Sequence, residues 1–150
     1  MVHTECYADD YIAQLLTDEE TKHHNDKGRV ITGIKKAKGE MGLVDDDPGH
    51  SQPGYLKKMK QVDRQNDLIL RKDDQGNYVI AVYPNLEVWL EKALSKSNQN
   101  LLKYFKVKDA TALHEIIHKR KPKIKLMVME MIELENPYFL RLKSWLNKDF

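Results

Sequence analysis

Met41-Gly-Leu-Val-Asp45-Asp46-Asp47-Pro48-Gly49 is a short buried-strand pattern that runs into three aspartates and a turn. Val2-His-Thr-Glu5-Cys6 is a second short strand pattern, and it too ends in an acid, Glu5. Between them lie two helical patterns. From Asp9 to Leu16, Ile12, Leu15 and Leu16 recur at helical spacing, and Asp9 or Asp10 serves the free amides of the first turn. From Arg29 to Lys38, Val30, Ile34 and Ala37 form the apolar face, with Gly39 as the stop. Strand, helix, helix, strand is the beginning of an α/β fold with a mostly parallel sheet flanked by helices. In such sheets ligands bind outside the carboxyl ends of the strands, where both acidic stretches lie.

Working outward, residues 17–28 are polar and read as a surface connection, with a short helix capped by Thr17 and Glu20 as an option and His23-His24 as a solvated pair. Pro48 to Gly54 is a loop, followed by a helix from Tyr55 to about Asn66 on which Leu56, Met59 and Val62 are apolar. Leu68–Arg71 and Tyr78–Tyr83 flank Asp73-Asp-Gln-Gly-Asn77, a hairpin-length connection, and are expected to be antiparallel neighbours. Asn85 caps a helix whose face is Leu86, Trp89, Leu90, Ala93 and Leu94. Beyond the linker at Ser95–Asn100 come helical patterns over Ala112–His118, Pro122–Leu134 and Tyr138–Leu146, without a strand. The division is an α/β domain over residues 1–98 and a helical C-terminal extension over 99–150 packed on it.

The composition sets the outer limits. With 41% hydrophobic and 32% charged residues the chain is an ordinary globular sequence, more charged than the usual 25% or so. One cysteine, Cys6, makes no intrachain disulfide, and no signal-peptide pattern opens the chain, so a cytoplasmic location is expected. Apolar runs such as Val79–Val82 are far shorter than the roughly 20 residues a membrane helix needs, so no membrane partner is expected. Residues 1–75 carry 12 Lys and Arg against 15 Asp and Glu, and residues 76–150 carry 13 against 8. An acidic half joined to a basic half suits a cation site beside a polyanion site.

The acids supply the chemistry. On an extended chain Asp45 and Asp47 point the same way and Asp46 the other, so the i, i+2 pair converges. Repelling carboxylates are compensated by a hard divalent cation, Mg²⁺ or Mn²⁺ for an all-oxygen site. The alternative is a solvated acidic turn before Pro48-Gly49. Glu87, in the first turn of its helix, is favoured there by the helix dipole alone. Lys119, Arg120, Lys121, Lys123 and Lys125 form a basic run suited to nucleic-acid phosphates, or else a solvated turn. His114-Glu115-Ile-Ile-His118 matches the spacing of a zinc-hydrolase helix, a lesser enzyme reading that needs a third ligand from elsewhere.

Glu5-Cys-Tyr-Ala-Asp9 resembles the Glu-Gly-x-x-Asp element of TOPRIM domains, and Gly42-Leu-Val-Asp45-Asp-Asp47 resembles their Asp-x-Asp strand end. Tyr83-Pro-Asn-Leu-Glu87-Val-Trp-Leu90 is similar to a segment of small uncharacterised TOPRIM-like bacterial and archaeal proteins, whose late Lys-rich helix is echoed by Lys121-Pro-Lys123-Ile-Lys125. The resemblance implies a Mg²⁺-dependent phosphodiesterase or nuclease acting on DNA or RNA, in RNA processing or phage defence. It makes Glu5 the general acid/base, Asp45 and Asp47 metal ligands with Glu5, and Asp9 a support of the helix start or a ligand through water. Phosphoryl chemistry would add a lysine near the leaving oxygen, for which Lys125 and Lys123 are the candidates unless both are merely solvated, and Lys119, Arg120, Lys121 and Lys123 would hold nucleic acid. Cys6 stands where the family often has Gly, which is a departure at the turn that approaches phosphate. With no tyrosine-nucleophile domain attached, strand passage is not expected. The competing expectation is a catalytically silent TOPRIM-like module that docks a protein partner.

Overall fold

The computed structural model describes residues 1–150. Six strands, β1 (Val2–Thr4), β2 (Thr21–His23), β3 (Met41–Asp45), β4 (Lys60–Gln65), β5 (Leu68–Lys72) and β6 (Tyr78–Val82), form one sheet in the order β2-β1-β3-β6-β5-β4. The pairings β2·β1, β1·β3 and β3·β6 are parallel, and β6·β5 and β5·β4 are antiparallel. The sheet is therefore mixed: a parallel half carries the acids and an antiparallel ribbon completes the other edge.

Helices α1 (Tyr7–Leu16), α4 (Leu86–Ser95), α5 (Leu101–Phe105), α6 (Ala110–Ile116), α7 (Lys121–Glu133) and α8 (Pro137–Leu146) share a buried apolar cluster of 30 residues with one face of the sheet. A smaller cluster of 9 residues lies on the other face, under α2 (Lys27–Lys35) and α3 (Gly54–Lys58). Strand alternation sorts the two. Met41, Leu43, Leu68, Leu70, Ile80 and Val82 enter the large cluster, whereas Val44, Ile69, Val79 and Ala81 enter the small one. Gly42 lets α2 lie close on the sheet, since a Cβ there would stand 3.3 Å from both Val30 and Val79.

The helical extension is continuous with the α/β part. The large cluster runs from Val2 to Leu146. Fully buried Asn136 accepts from the amides of Tyr138 and Phe139 at the start of α8, and its own amide donates to the Ala93 carbonyl at the end of α4, 2.7 Å away.

Three segments depart from the sequence expectation, one of them α5, a single short helix that no sequence pattern marks. The helix from Tyr55 to Asn66 is α3 followed by β4: Met59 turns extended, and Lys60–Gln65, with only Val62 apolar, pairs with β5 as a charged edge strand. Thr21–His23, inside the polar connection, is the edge strand β2. Its His23 stacks on Tyr7, and His24 shares a hydrogen bond with His3 at 2.8 Å, so this histidine pair is partnered rather than solvated. Three polar, half-exposed residues carry no periodicity that a sequence pattern can detect.

Candidate metal centre

Parallel pairing of β1 with β3 brings their carboxyl ends side by side, with Thr4 opposite Leu43. Glu5 follows β1 directly and Asp45 closes β3, so the two acids meet. The Asp45 amide donates to Glu5 Oε2 at 2.9 Å, and Asp45 Oδ1 accepts from the Leu86 amide at the start of α4, also at 2.9 Å. Each is thereby fixed by one oxygen, leaving the other oxygen for a ligand.

Asp9 is the third member. Cys6 occupies the N-cap of α1, which places Asp9 in the first turn, where it is buried to 1% exposure. Neither of its carboxylate oxygens has a hydrogen-bond partner. The Cys6 thiol and amide are its polar neighbours, and with burial outweighing them the carboxyl keeps its proton unless a cation compensates it. Glu5, Asp9 and Asp45 each offer an oxygen, and these atoms lie within 4.8 Å of one another. One cation with ligand bonds of about 2.0–2.6 Å spans such a separation.

The electrostatics agree with the geometry. Burial first, then the neighbouring carboxylates, pushes Asp9 and Asp45 well above the ordinary carboxylate range. Glu5 is raised as well, chiefly by burial, against the lowering effect of the Asp45 amide and the Lys27 ammonium. Burial also pushes the Cys6 thiol up, which leaves it an unreactive thiol beside the acids.

Asp47 is not one of the three. The strand ends at Asp45, and Asp47 has a left-handed backbone (φ 47°), so the i, i+2 alternation stops before it. Its carboxylate lies 3.4 Å from Lys27 Nζ. Asp47 nevertheless lines two cavities that border the acids. One, of about 280 Å³, is reached through Asp45, Glu87 and His114, and the other, of about 550 Å³, through Glu5, Lys27 and Gln52.

Lys27 is the cation at this site, and sequence reading passed over it. It opens α2 after the Asp26 cap, and its side chain is 11% exposed and bonded to the Asp46 carbonyl and Gln52 Oε1 at 3.1 Å each. Only the unrecognised strand β2 marks the position as a strand end. Lys125, by contrast, is exposed on α7 and lines neither cavity.

The basic run Lys119, Arg120, Lys121, Lys123 and Lys125 is exposed throughout, across a 3-10 turn (Ile117–Lys119) and the first turns of α7. Lys121 Nζ stands 5.4 Å above the Tyr11 ring of α1. His114 lies on α6 and His118 in the 3-10 turn that follows it. The α-helix ends at Ile116, the two rings meet edge-on at 6.4 Å, and no third ligand completes a group of three around them. His114 Nδ1 pairs instead with Glu87 Oε1 at 3.1 Å.

Comparison of the chain with protein-family models, with curated proteins and with solved structures returns no match.

Proposed function

We propose that this protein is a Mg²⁺- or Mn²⁺-dependent phosphodiesterase acting on nucleic acid, of the TOPRIM type that its sequence resembles. The observation that carries the reading is Asp9: a fully buried carboxylate with both oxygens unpaired, facing Glu5 and Asp45 at the carboxyl ends of two parallel strands. That donor set is all oxygen and anionic, which fits a hard divalent cation. Bound there, the cation would lower the pKa of water and neutralise charge on a phosphoryl group.

The residues divide the remaining work. Asp9 and Asp45 hold the ion, Asp45 being oriented by the α4 amide. Glu5 contributes an oxygen and, as it lines the larger polar cavity, would take a proton from attacking water. Lys27, in the same cavity, offers a point charge to a phosphate oxygen. The exposed basic run extends the contact surface to further phosphates.

Calorimetric titration with Mn²⁺ and assay of single- and double-stranded DNA and RNA test the reading. The expected result is saturable binding of Mn²⁺ and chelator-reversible cleavage of at least one nucleic acid. Absence of both, together with retention of a protein partner in pull-down, would make the chain a silent interaction module. Replacing Lys119, Arg120 and Lys121 by Ala is expected to weaken nucleic-acid binding and to flatten its log–log salt slope by up to about 3, at roughly 0.9 per duplex phosphate contact. Mn²⁺ affinity should not change. An unaltered salt slope would remove this run from the interface.

A further inference from the structure

We infer that His114 delivers the proton to the departing oxygen of the phosphodiester, with Glu87 as the residue that positions it; this rests on the phosphodiesterase reading above. Glu87, in the first turn of α4, is 6% exposed, and its charge is felt by both Asp9 and Asp45. It therefore lies next to the metal-binding acids. Its Oε1 is 3.1 Å from His114 Nδ1, whereas the His114 side chain as a whole is 67% exposed. A buried carboxylate on Nδ1 fixes the ring and its tautomer, and leaves Nε2 as the nitrogen without a protein partner. His114 and Asp45 line the same cavity of about 280 Å³.

The two cavities give the reaction its sides. Glu5 and Lys27 line one, Asp45, Glu87 and His114 line the other, and Asp47 borders both. Phosphodiester displacement places the attacking and leaving oxygens roughly in line through phosphorus, which suits one cavity for each. Water forms the new P–O bond and gives its proton to Glu5. The P–O bond to the leaving sugar oxygen breaks, and that oxygen takes the proton from His114 Nε2. Glu5 then loses a proton to solvent and His114 regains one, so the cycle closes with one water consumed. No other protonatable side chain of that cavity combines exposure with a buried partner, and Lys125 lines neither cavity.

The test uses leaving-group chemistry on the full chain with Mn²⁺. Thymidylyl-(3′→5′)-thymidine expels an alkoxide that needs a proton, whereas bis(p-nitrophenyl) phosphate expels a stable phenolate that does not. His114→Ala is expected to lower kcat on the dinucleotide about 100-fold or more, and on the aryl diester by less than about 3-fold. Mn²⁺ affinity measured by electron paramagnetic resonance should stay within about 2-fold. Imidazole ¹⁵N NMR of the metal-free protein should show His114 as the Nδ1–H tautomer when neutral, and Glu87→Ala should abolish that preference. Equal losses on both substrates, loss below about 3-fold on the dinucleotide, or an Nε2–H tautomer in the wild type would overturn the role of His114 while leaving a phosphodiesterase in place. A wild type that hydrolyses neither substrate would overturn both.

Discussion

Asp9→Asn should make the metal-free protein more stable and at the same time abolish its divalent-cation binding. The wild-type carboxyl titrates at about 3.8 when unperturbed but is raised to about 8 in the fold, so the folded state holds a proton that the unfolded chain releases. Stability contributed by that proton is complete below about pH 4 and is lost as pH rises toward 8, since the unfolded state binds fewer protons there. Asn carries no such dependence. The variant's advantage is thus near zero at pH 4 and grows steadily as pH rises toward 8, read as a widening difference in Tm between variant and wild type. Mn²⁺ should raise the Tm of the wild type by linkage and leave the variant unmoved. A variant less stable than wild type at pH 8, or one that still binds Mn²⁺, would show that Asp9 is a structural acid.

The largest loss of stability is expected at Trp89→Ala. The Trp89 ring is fully buried, 5.7 Å from Tyr138 and 5.3 Å from Phe139, and its Nε1–H donates to the Asn66 carbonyl at 2.9 Å. Removing it leaves a cavity worth about 3–5 kcal/mol and an unpaired carbonyl worth about 1 kcal/mol more. Domains are stable by only about 5–15 kcal/mol, so Tm should fall by about 10–20 °C, and the variant unfolds at 37 °C if the parent lies near the lower limit. Thermal melting by circular dichroism checks it. A drop of less than about 3 °C would mean that α8 is not integral to the core around α4.

Much of this architecture is legible in the sequence where one buried face imposes a period. Leu86, Trp89, Leu90, Ala93 and Leu94 mark α4 and Asn85 its cap, which the structure shows accepting from the Val88 amide at 3.0 Å. The hairpin through Asp73–Asn77 likewise follows from two apolar runs and a turn. The edge strands β2 and β4 are invisible for the opposite reason: they bury almost nothing, and only pairing to a neighbour defines them. Of the acids, Glu5 and Asp45 are legible as strand ends. Asp9 reads only as a helix-start acid or a ligand through water, because its full burial depends on packing that no local pattern encodes. The convergence of Asp47 fails because alternation holds only while the chain stays extended. Lys27 and the Glu87–His114 pair join segments far apart in the chain, and distance in sequence hides them.

The parallel half of the sheet also gives the molecule two ends with different liberties. Glu5, Asp45 and the start of α4 lie where β1, β3 and β6 finish, and the Asp73–Asn77 turn lies where β6 begins. Five residues of strand separate those ends, about 15 Å at roughly 3.3 Å per residue. A fluorophore, surface tether or inserted peptide joined at Asp74 or Gln75 would therefore leave the acids untouched, provided Asp73 keeps its bonds to Asn77 and Tyr55. The same attachment at His50 would enter the wall of the larger cavity itself. For immobilising this protein on a chip or labelling it for single-molecule work, the amino ends of the strands are the handle.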